Sequence, residues 1–261
     1  MPALLRQRSR ENAYIGIVRE VPTGMDTPPD RLTPRTPAGF GMTKPPEILE
    51  PLNGNSQFTE VLYRRRAVRS YTADVIGGDR LEPLLDAAVH APTARHQEPW
   101  QFVVVQNREL LKRISDRGKE LARASAAHHG SVLKPPGAPG DGVASQLADP
   151  DYNIFYDAGT LVVICARLTP EFFTPDSWPA HSFVVADCWL AAENFMLAAC
   201  ADGLGTCCIG FAVPALNDPV IKAELGIPPA VEAFAPIIVG VPAGVTALVP
   251  RKPPVLLRWI R

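Results

Sequence analysis

The sequence predicts an α+β sandwich, in which helices cover a central sheet. Apolar runs of strand length occur at residues 100–105, 160–166 and 234–240, and segments with helical spacing of apolar residues separate them. Helices and strands do not alternate strictly as βαβ units, so we favour an α+β fold over a doubly wound one. The length of 261 residues is compatible with one large domain or two small ones, and the apolar fraction of 46% suffices for a buried core.

The N-terminal part of the chain differs in composition from the rest. Eight prolines fall between positions 22 and 51, and proline fixes φ and removes a backbone donor. We therefore interpret residues 1–52 as a Pro-rich, basic extension that is loose or wraps over a partner subunit. The folded domain is placed at residues 53–261 and ends in an extended, basic tail.

Several helix starts can be placed from capping signals. Ser56 is a candidate cap before apolar residues at helical spacing, and that helix ends near the first arginines. Asp79 and Asn107 are candidate caps of a second and a third helix. A further helix is predicted to open at Pro214 and to run through Leu225.

Other segments are assigned by composition. Residues 128–150 are rich in Gly and Pro and are predicted to form a surface loop that includes a histidine pair. The run 160–166 is apolar nearly throughout, which indicates a strand buried on both faces. Residues 181–201 are apolar almost all round, typical of a core helix or a dimer interface. Pro236 indicates an edge strand or a bulge.

Charge and composition narrow the partner classes. The net charge of −1 gives no global field that favours nucleic acid or an anionic membrane. We find no apolar run near the roughly 20 residues that span a bilayer and no secretion signal, so we expect a cytoplasmic protein without membrane or nucleic-acid partners. The five cysteines lack CxxC spacing, so reduced core thiols are favoured over disulfides or a zinc site, and we predict no metal.

Two stretches suggest ligand binding. Arginines occupy positions 64, 65, 66 and 69, and guanidinium groups suit phosphate oxygens, although a charge run can also be a solvated helix face. Residues 203–210 are predicted to form a glycine-punctuated turn, whose three glycines would let the backbone approach a flat ligand closely. Neither stretch is specific alone, because the second is not GxGxxG and follows a helix.

Taken together, residues from about 56 to 254 resemble the FMN-dependent nitroreductase family. The family's motifs occur in its order: Arg-Arg-Ala-Val-Arg-Ser-Tyr at 65–71, Ala-Pro-Thr-Ala-Arg-His-Gln-Glu-Pro-Trp at 91–100, and the apolar helix that leads into 203–210. The strand ending at Gly240 and an Arg-x-Pro at residues 251–253 follow.

The resemblance implies a nitroreductase-like three-layer sandwich, with a central, mostly antiparallel sheet flanked by helices. It also implies a domain-entwined homodimer with FMN at the subunit interface. Carried over by position, the cofactor-binding residues are Arg65, Arg66, Ala67, Arg69, Pro92, Thr93, Ala94, His96, Cys207, Cys208, Ile209, Gly210 and Arg251.

Roles also follow from the resemblance. Arg65 would hold the FMN phosphate or ribityl oxygens, Arg69 would lie near the pyrimidine edge, and Arg251 would clamp the phosphate. The backbone of Ile209 and Gly210 would approach flavin N5.

The remaining residues of the set surround the ring. Thr93, Ala94 and His96 would come from the other subunit, and Cys207 and Cys208 would pack against one ring face. Simpler alternatives stay open from the residues alone: Arg64 and Arg66 as surface charges, and the two cysteines as small packing residues rather than redox thiols.

Three positions depart from the family pattern. Ala67 stands where a hydroxyl is usual, and Val249 where some members carry a second basic phosphate ligand, so flavin affinity could be lower than is typical. His96 replaces the usual Asn and titrates near neutral pH, so it could donate a proton to substrate. We expect His96→Ala to keep flavin but to change the range of acceptors.

The resemblance implies an FMN-dependent NAD(P)H oxidoreductase that reduces nitroaromatic, quinone or similar conjugated acceptors by a ping-pong mechanism through flavin N5. No side chain need act as nucleophile, because positioning and flavin electronics supply most of the rate. One alternative is a specialised flavin dehydrogenase or dehalogenase on the same fold. Another is a non-catalytic flavin- or partner-binding subunit. The sequence does not choose between NADH and NADPH or name the physiological substrate.

Overall fold

A computed structural model of the chain describes residues 56–129, 142–168, 182–244, 246 and 251–260. The extension predicted at residues 1–52 lies outside the described residues. The helices are α1 (Ser56–Arg64), α2 (Gly78–Val89), α3 (Arg108–His129), α4 (Gly142–Ala148), α5 (Ser182–Ala201), α6 (Val213–Leu216) and α7 (Pro219–Glu224). The strands are β1 (Trp100–Val105), β2 (Thr160–Arg167), β3 (Gly205–Cys208) and β4 (Val231–Gly240).

The four strands form one sheet in the order β1-β2-β4-β3, and every pair of neighbours is antiparallel. Three of the strands coincide with the three apolar runs of the sequence. The fourth, β3, lies inside the stretch predicted as a glycine-punctuated turn. That prediction was wrong because Gly205 and the two cysteines pair with β4, in register with its last residues.

Side chains of β2 alternate between two hydrophobic cores. Val162 and Ile164 pack in one core with α2 and α5. Leu161 and Val163 pack in the other with α3, α6 and α7. Helices therefore cover both faces of the sheet, and the predicted α+β three-layer sandwich is confirmed.

A register shift in β4 explains Pro236. Ile164 pairs with Ala235 and Cys165 pairs with Ala233, so Phe234 is left without a partner. As a result Ala233 and Ala235 point into opposite cores, although they are two residues apart. The strand lies inside the sheet, so the edge alternative was wrong and the bulge alternative is confirmed.

The capping predictions had mixed outcomes. The Asn107 side chain accepts a hydrogen bond of 2.9 Å from the backbone N–H of Leu110, as expected for a cap. Asp79 is not a cap, because Gly77 occupies that position and Asp79 lies in the first turn of α2. There its carboxylate faces the positive end of the helix dipole.

The single helix predicted from Pro214 to Leu225 is two helices. Helix α6 ends before Asn217, whose side chain hydrogen-bonds both the N–H and the carbonyl of Ala233, at 2.9 and 3.0 Å. Asp218 then caps α7 by accepting from the N–H of Val220 at 3.0 Å.

The loop predicted at residues 128–150 was wrong in part. Helix α3 continues through its two histidines, and α4 occupies Gly142–Ala148. Ala144 and Leu147 of α4 are buried, so apolar residues within a Gly-rich stretch suffice for a short packed helix. Residues 130–141 lie outside the described residues.

Helix α5 joins the core on one side only. Ala191, Ala192 and Phe195 are fully buried, whereas Trp189 and Leu190 are exposed. By length and composition alone, the 19 residues Phe183–Ala201 could cross a membrane. The expectation that no segment has this property was wrong. A core helix of a soluble fold passes the same test, and α5 packs against α2 and the sheet.

Candidate functional site

The arginine-rich segment lies along the outer edge of β3. The backbone N–H of Val68 donates to the carbonyl of Thr206 at 2.9 Å, and Ala67 forms a parallel bridge with Thr206. Farther along, the N–H of Thr72 donates to the carbonyl of Val241 at 2.9 Å. The segment therefore extends the sheet beyond its edge strand, which fixes where its side chains project.

The three glycines of residues 203–210 differ in backbone conformation and in their surroundings. Gly203 has a φ of +74°, which suits glycine in a turn. A Cβ at Gly205 would lie 2.7 Å from the Cβ of Val68, so this glycine allows the arginine segment to pack on the sheet. A Cβ at Gly210 would meet no atom within 4 Å. The same holds for Gly203, which lines the cleft beside the arginine segment, so two of the three glycines face open space.

A cleft of about 760 Å³ opens beside the arginine segment. Three of the four arginines line it, next to the end of α5 and the start of β3. The lining residues are Glu60, Val61, Arg64, Arg65, Arg66, Val68, Cys200, Ala201, Gly203, Leu204, Thr206, Pro242, Gly244 and Thr246.

Arg65 is the arginine of the cleft that forms an ion pair with a different element of the fold. Its side chain is 22% exposed, and its Nε lies 3.3 Å from Oε1 of Glu193 on α5. Arg64, by contrast, forms an exposed ion pair of 2.7 Å with Glu60 within the same helix. The surroundings of Arg64 fit the surface-charge alternative, and those of Arg65 fit a binding role.

Arg66 has a different position again. Its Nη1 donates to the carbonyls of Tyr63 and Arg65, both at 2.7 Å. These carbonyls lie at the C-terminal end of α1, where helices leave acceptors unsatisfied. The Nε of Arg66 is buried and has no partner among the described residues. Arg66 thus closes the helix end and keeps one buried donor unpaired.

Arg69 does not line the cleft. It borders a second pocket of about 310 Å³ together with Tyr71, Tyr152 and Tyr156. Its guanidinium carbon lies 5.9 Å from the ring centroid of Tyr156, within the range of a cation–π contact. The hydroxyl of Tyr152 donates to that of Tyr156 at 3.1 Å. No signal in the sequence pointed to Tyr152 and Tyr156.

Cys207 and Cys208 project to opposite sides of β3. Cys207 is buried in the α3-side core, and burial raises the pKa of its thiol while Arg69 opposes this rise. The Sγ of Cys208 lies 3.5 Å from Sδ of Met196, and burial raises the pKa of Cys208 to about 11. Both thiols are neutral near pH 7, which fits the packing alternative.

The loop after α2 is strained. Three non-glycine residues have positive φ: Arg95 (58°), His96 (54°) and Glu98 (44°). The N–H of Ala94 donates to both carboxylate oxygens of Asp187 at 3.3 Å, which ties the loop to the first half of α5. Such strain persists where the surroundings impose it and is common at binding sites.

The remaining predicted residues lie in the loop after α2, directly after β3 and in the segment 251–260. Pro92 and His96 are exposed, and the Thr93 hydroxyl accepts from the N–H of Glu98 at 3.4 Å. Ile209 is buried, and its N–H donates to the carbonyl of Pro236 at 3.0 Å. Arg251 is exposed and forms no ion pair with another described residue.

The structure thus brings Arg65 and Arg66 together in one cleft and leaves the other predicted residues outside its lining. The predicted residues on or beside β3 that do not line it are Ala67, Cys207, Cys208, Ile209 and Gly210. Arg69 lies at the tyrosine pocket, the loop residues lie at the start of α5, and Arg251 lies in the exposed segment 251–260. Sequence reasoning missed Glu193 and Thr206, because a charge on an apolar helix and a small polar residue in a strand carry no motif.

Comparison with known families decides the class. The model of the nitroreductase family matches residues 62–241, more than half of the chain. The chain belongs to the nitroreductase family. The matched range includes α2 to α7 and the whole sheet, and the prediction of a nitroreductase-family oxidoreductase is confirmed.

Individual relatives agree with this membership. A protein of Archaeoglobus fulgidus assigned as an NADH dehydrogenase/NAD(P)H nitroreductase is 28% identical over 186 residues, covering 70% of this chain and 84% of its own. The crystal structure of a nitroreductase with bound FMN from Bacteroides fragilis has 26% identity and a TM-score of 0.58, covering 78% of this chain and 97% of its own. Iodotyrosine deiodinase 1 of Sus scrofa is 34% identical over 77 residues, which covers 30% of this chain and 26% of the deiodinase.

Proposed function

We propose that this nitroreductase-family protein binds FMN and uses NAD(P)H to reduce nitroaromatic, quinone or similar conjugated acceptors. The observation that carries the proposal is the arginine-lined cleft at the edge of the sheet, within the residues that match the family. The Bacteroides relative with bound FMN and the Archaeoglobus relative with NAD(P)H in its name support the cofactor and co-substrate. A cytoplasmic location stays a prediction.

The residues of the cleft suit an anionic flavin nucleotide. Arg64, Arg65 and Arg66 line one cleft of about 760 Å³, and guanidinium groups bind phosphate oxygens in pairs. The buried, unpaired Nε of Arg66 is a donor that an anion could satisfy. A Cβ at Gly210 would meet no atom within 4 Å, so the backbone at this position leaves room for a flat group.

FMN, when bound, would supply the chemistry of hydride transfer between NAD(P)H and the acceptor. The chain's own residues would bind and orient. Arg65 would hold the phosphate, and the Gly210 backbone would border the ring. Ala67 would contribute only backbone groups, because it has no hydroxyl. Arg69, beside Tyr156, would act from the second pocket rather than from the cleft.

We also propose a homodimer that completes the site. Large apolar side chains are exposed on α1, on α5 and in the segment 251–260, and include Leu62, Trp189, Leu190 and Leu257. Exposed apolar groups on several elements at once are typical of surfaces that associate. A partner subunit would bring a second copy of the strained 94–98 loop and of Arg251. Light scattering of the full chain should give twice the monomer mass of 28.2 kDa.

A spectroscopic experiment tests the flavin proposal. The purified full chain, reconstituted with FMN and freed of excess, should be yellow and should bleach anaerobically on addition of NADPH or NADH. Addition of a nitroaromatic or a quinone should then restore the colour. Protein that retains no FMN contradicts the proposal, and protein that retains FMN without bleaching supports a non-catalytic flavin-binding subunit instead.

The deiodinase similarity supports a second candidate, a reductive dehalogenase on the same fold, with a match confined to 77 residues. A panel of nitroaromatics, quinones and halogenated phenols, assayed with the same reduced protein, separates the two. His96→Ala should keep flavin and change the ranking of acceptors, because the loop position is exposed and outside the arginine cleft. An unchanged ranking would remove His96 from the acceptor site.

A further inference from the structure

We infer that Glu193 is a positioning residue, which orients Arg65 for the phosphate of the flavin nucleotide. The inference rests on the proposed function, because it concerns the same cleft. Nothing in the motif pattern pointed to Glu193, which is one of two acidic residues within the apolar helix α5. Glu193 lies within ion-pair distance of Arg65.

Glu193 contacts Arg65 without lining the cleft itself. Arg65 lines the cleft, whereas Glu193 is not among the residues that line it. The carboxylate oxygen Oε1 lies 3.3 Å from Nε, on the side edge of the guanidinium. The two terminal nitrogens of Arg65 form no hydrogen bond with a described residue, so they remain available for a ligand.

This arrangement suits a phosphate. A guanidinium binds two oxygens along its side edge or along its terminal edge. Glu193 occupies the Nε position and leaves the terminal nitrogens free, so a second anion can bind without displacing the first. The carboxylate also limits the rotamers of a long side chain, and fewer rotamers lost on binding mean a tighter complex.

The neighbouring Arg64–Glu60 pair provides an internal comparison. Both pairs join a glutamate to an arginine of the same cleft, but Glu60 and Arg64 are 57% and 70% exposed. For Glu193 and Arg65 the values are 44% and 22%. Solvent and salt screen the first pair more, and a pair within one helix turn fixes little beyond that helix. Only the second pair ties the arginine to a separate element of the core.

The test compares FMN with riboflavin, which lacks the phosphate. Affinities of both flavins for the full chain are measured by fluorescence quenching, for the wild type, Glu193→Ala, Glu193→Gln, Glu60→Ala and the control Glu224→Ala. We expect Glu193→Ala to weaken FMN binding about tenfold, or about 1.4 kcal/mol, and to change riboflavin binding less than about twofold. Glu193→Gln keeps an acceptor oxygen, so its loss should be smaller. Glu60→Ala also alters the lining of the cleft, and we expect a smaller loss of FMN affinity than in Glu193→Ala, because its pair with Arg64 is more exposed. Glu224→Ala removes the partner of Arg113 outside the cleft and should change neither affinity by more than about twofold.

The outcomes separate this inference from the proposed function. Equal losses for FMN and riboflavin in Glu193→Ala, or equal losses of FMN affinity in Glu193→Ala and Glu60→Ala, would overturn the positioning role and leave the flavin proposal intact. A wild type that binds neither flavin would overturn both. A thermal unfolding curve of each ligand-free variant checks that the fold is kept, and loss of FMN selectivity in a variant with an unchanged curve supports the inference.

Discussion

Arg65 and Arg69 belong to one sequence motif, yet they have different surroundings. Arg65 lies in the cleft, is mostly enclosed, and contacts a carboxylate of α5. Arg69 is exposed, lies outside the cleft, and contacts the ring of Tyr156 in a strained loop where that tyrosine has a φ of 51°. Between them, Ala67 and Val68 bond to β3 and hold the segment against the sheet.

The difference shows that a motif can serve two parts of a site through one short backbone segment. An ionic partner leaves the arginine oriented and ready for a second anion. An aromatic partner orients the guanidinium plane without neutralising its charge. The two ends therefore predict different consequences when each arginine is removed.

Replacing the arginines one at a time should give the largest effect. Arg65→Ala should weaken FMN binding about 10- to 100-fold, because a hydrogen bond to a charged group contributes roughly 1.5–3 kcal/mol. Arg69→Ala should change FMN affinity much less, because its side chain lies at the tyrosine pocket. Equilibrium titration of both variants with FMN makes the measurement, and riboflavin is the control. Equal losses in the two variants would contradict the division of the motif.

Gly205→Ala should displace both ends of the arginine segment, and with them Arg65 and Arg69. A Cβ at this position would lie 2.7 Å from the Val68 side chain, so the arginine segment would have to move off the sheet. Overpacking of this kind costs roughly 1–3 kcal/mol in unfolding free energy. Gly210→Ala, with open space at the same test position, is the matched control and should unfold like the wild type.

The contact with Val68 can be isolated by a double mutant. If the clash is the cause, Val68→Ala in the Gly205→Ala background should recover stability, although Val68→Ala alone destabilises. Urea unfolding of the four proteins gives the coupling. Additive losses would show that Gly205 is needed for another reason.

Much of the fold could be predicted because its strands are apolar runs bounded by breakers. The 160–166 run predicted burial on both faces, and β2 has it. Strand β3 could not be predicted in the same way, since four residues with a glycine and two cysteines resemble a turn until β4 is known as their partner. The break between α6 and α7 likewise depends on Asn217 reaching Ala233, a contact across 16 positions.

The candidate site was predictable only as far as its motifs. The family pattern gave Arg65, Arg69 and the residues 203–210, and it placed the two arginines at different ends of one FMN. Their separate surroundings depend on Glu193 and Tyr156, which are distant in sequence and belong to no local pattern. Side chains that orient a binding residue from another element are recognisable only after packing.

The two cysteines of β3 offer the smallest and most local test of the comparison. Burial raises the pKa of Cys208 from its ordinary value of 9.0 to about 11, with further contributions from Cys207 and Glu193. For Cys207 burial also raises the pKa, but Arg69 and then Arg65 oppose it. Cys208 therefore responds to Glu193 and Arg65, whereas Cys207 responds first to Arg69 and less to Arg65.

A raised pKa means that the folded state binds the proton more tightly than the unfolded chain. The stabilisation is complete below pH 9 and is lost as the pH rises toward 11, so the free energy of unfolding should fall across this window. The fall should be smaller in Cys208→Ala than in the wild type, and Cys207→Ala should change it less. Urea unfolding at intervals between pH 8 and 11 makes the measurement. If Cys207→Ala flattened the curve more than Cys208→Ala, the expected order of the two thiol contributions would be wrong.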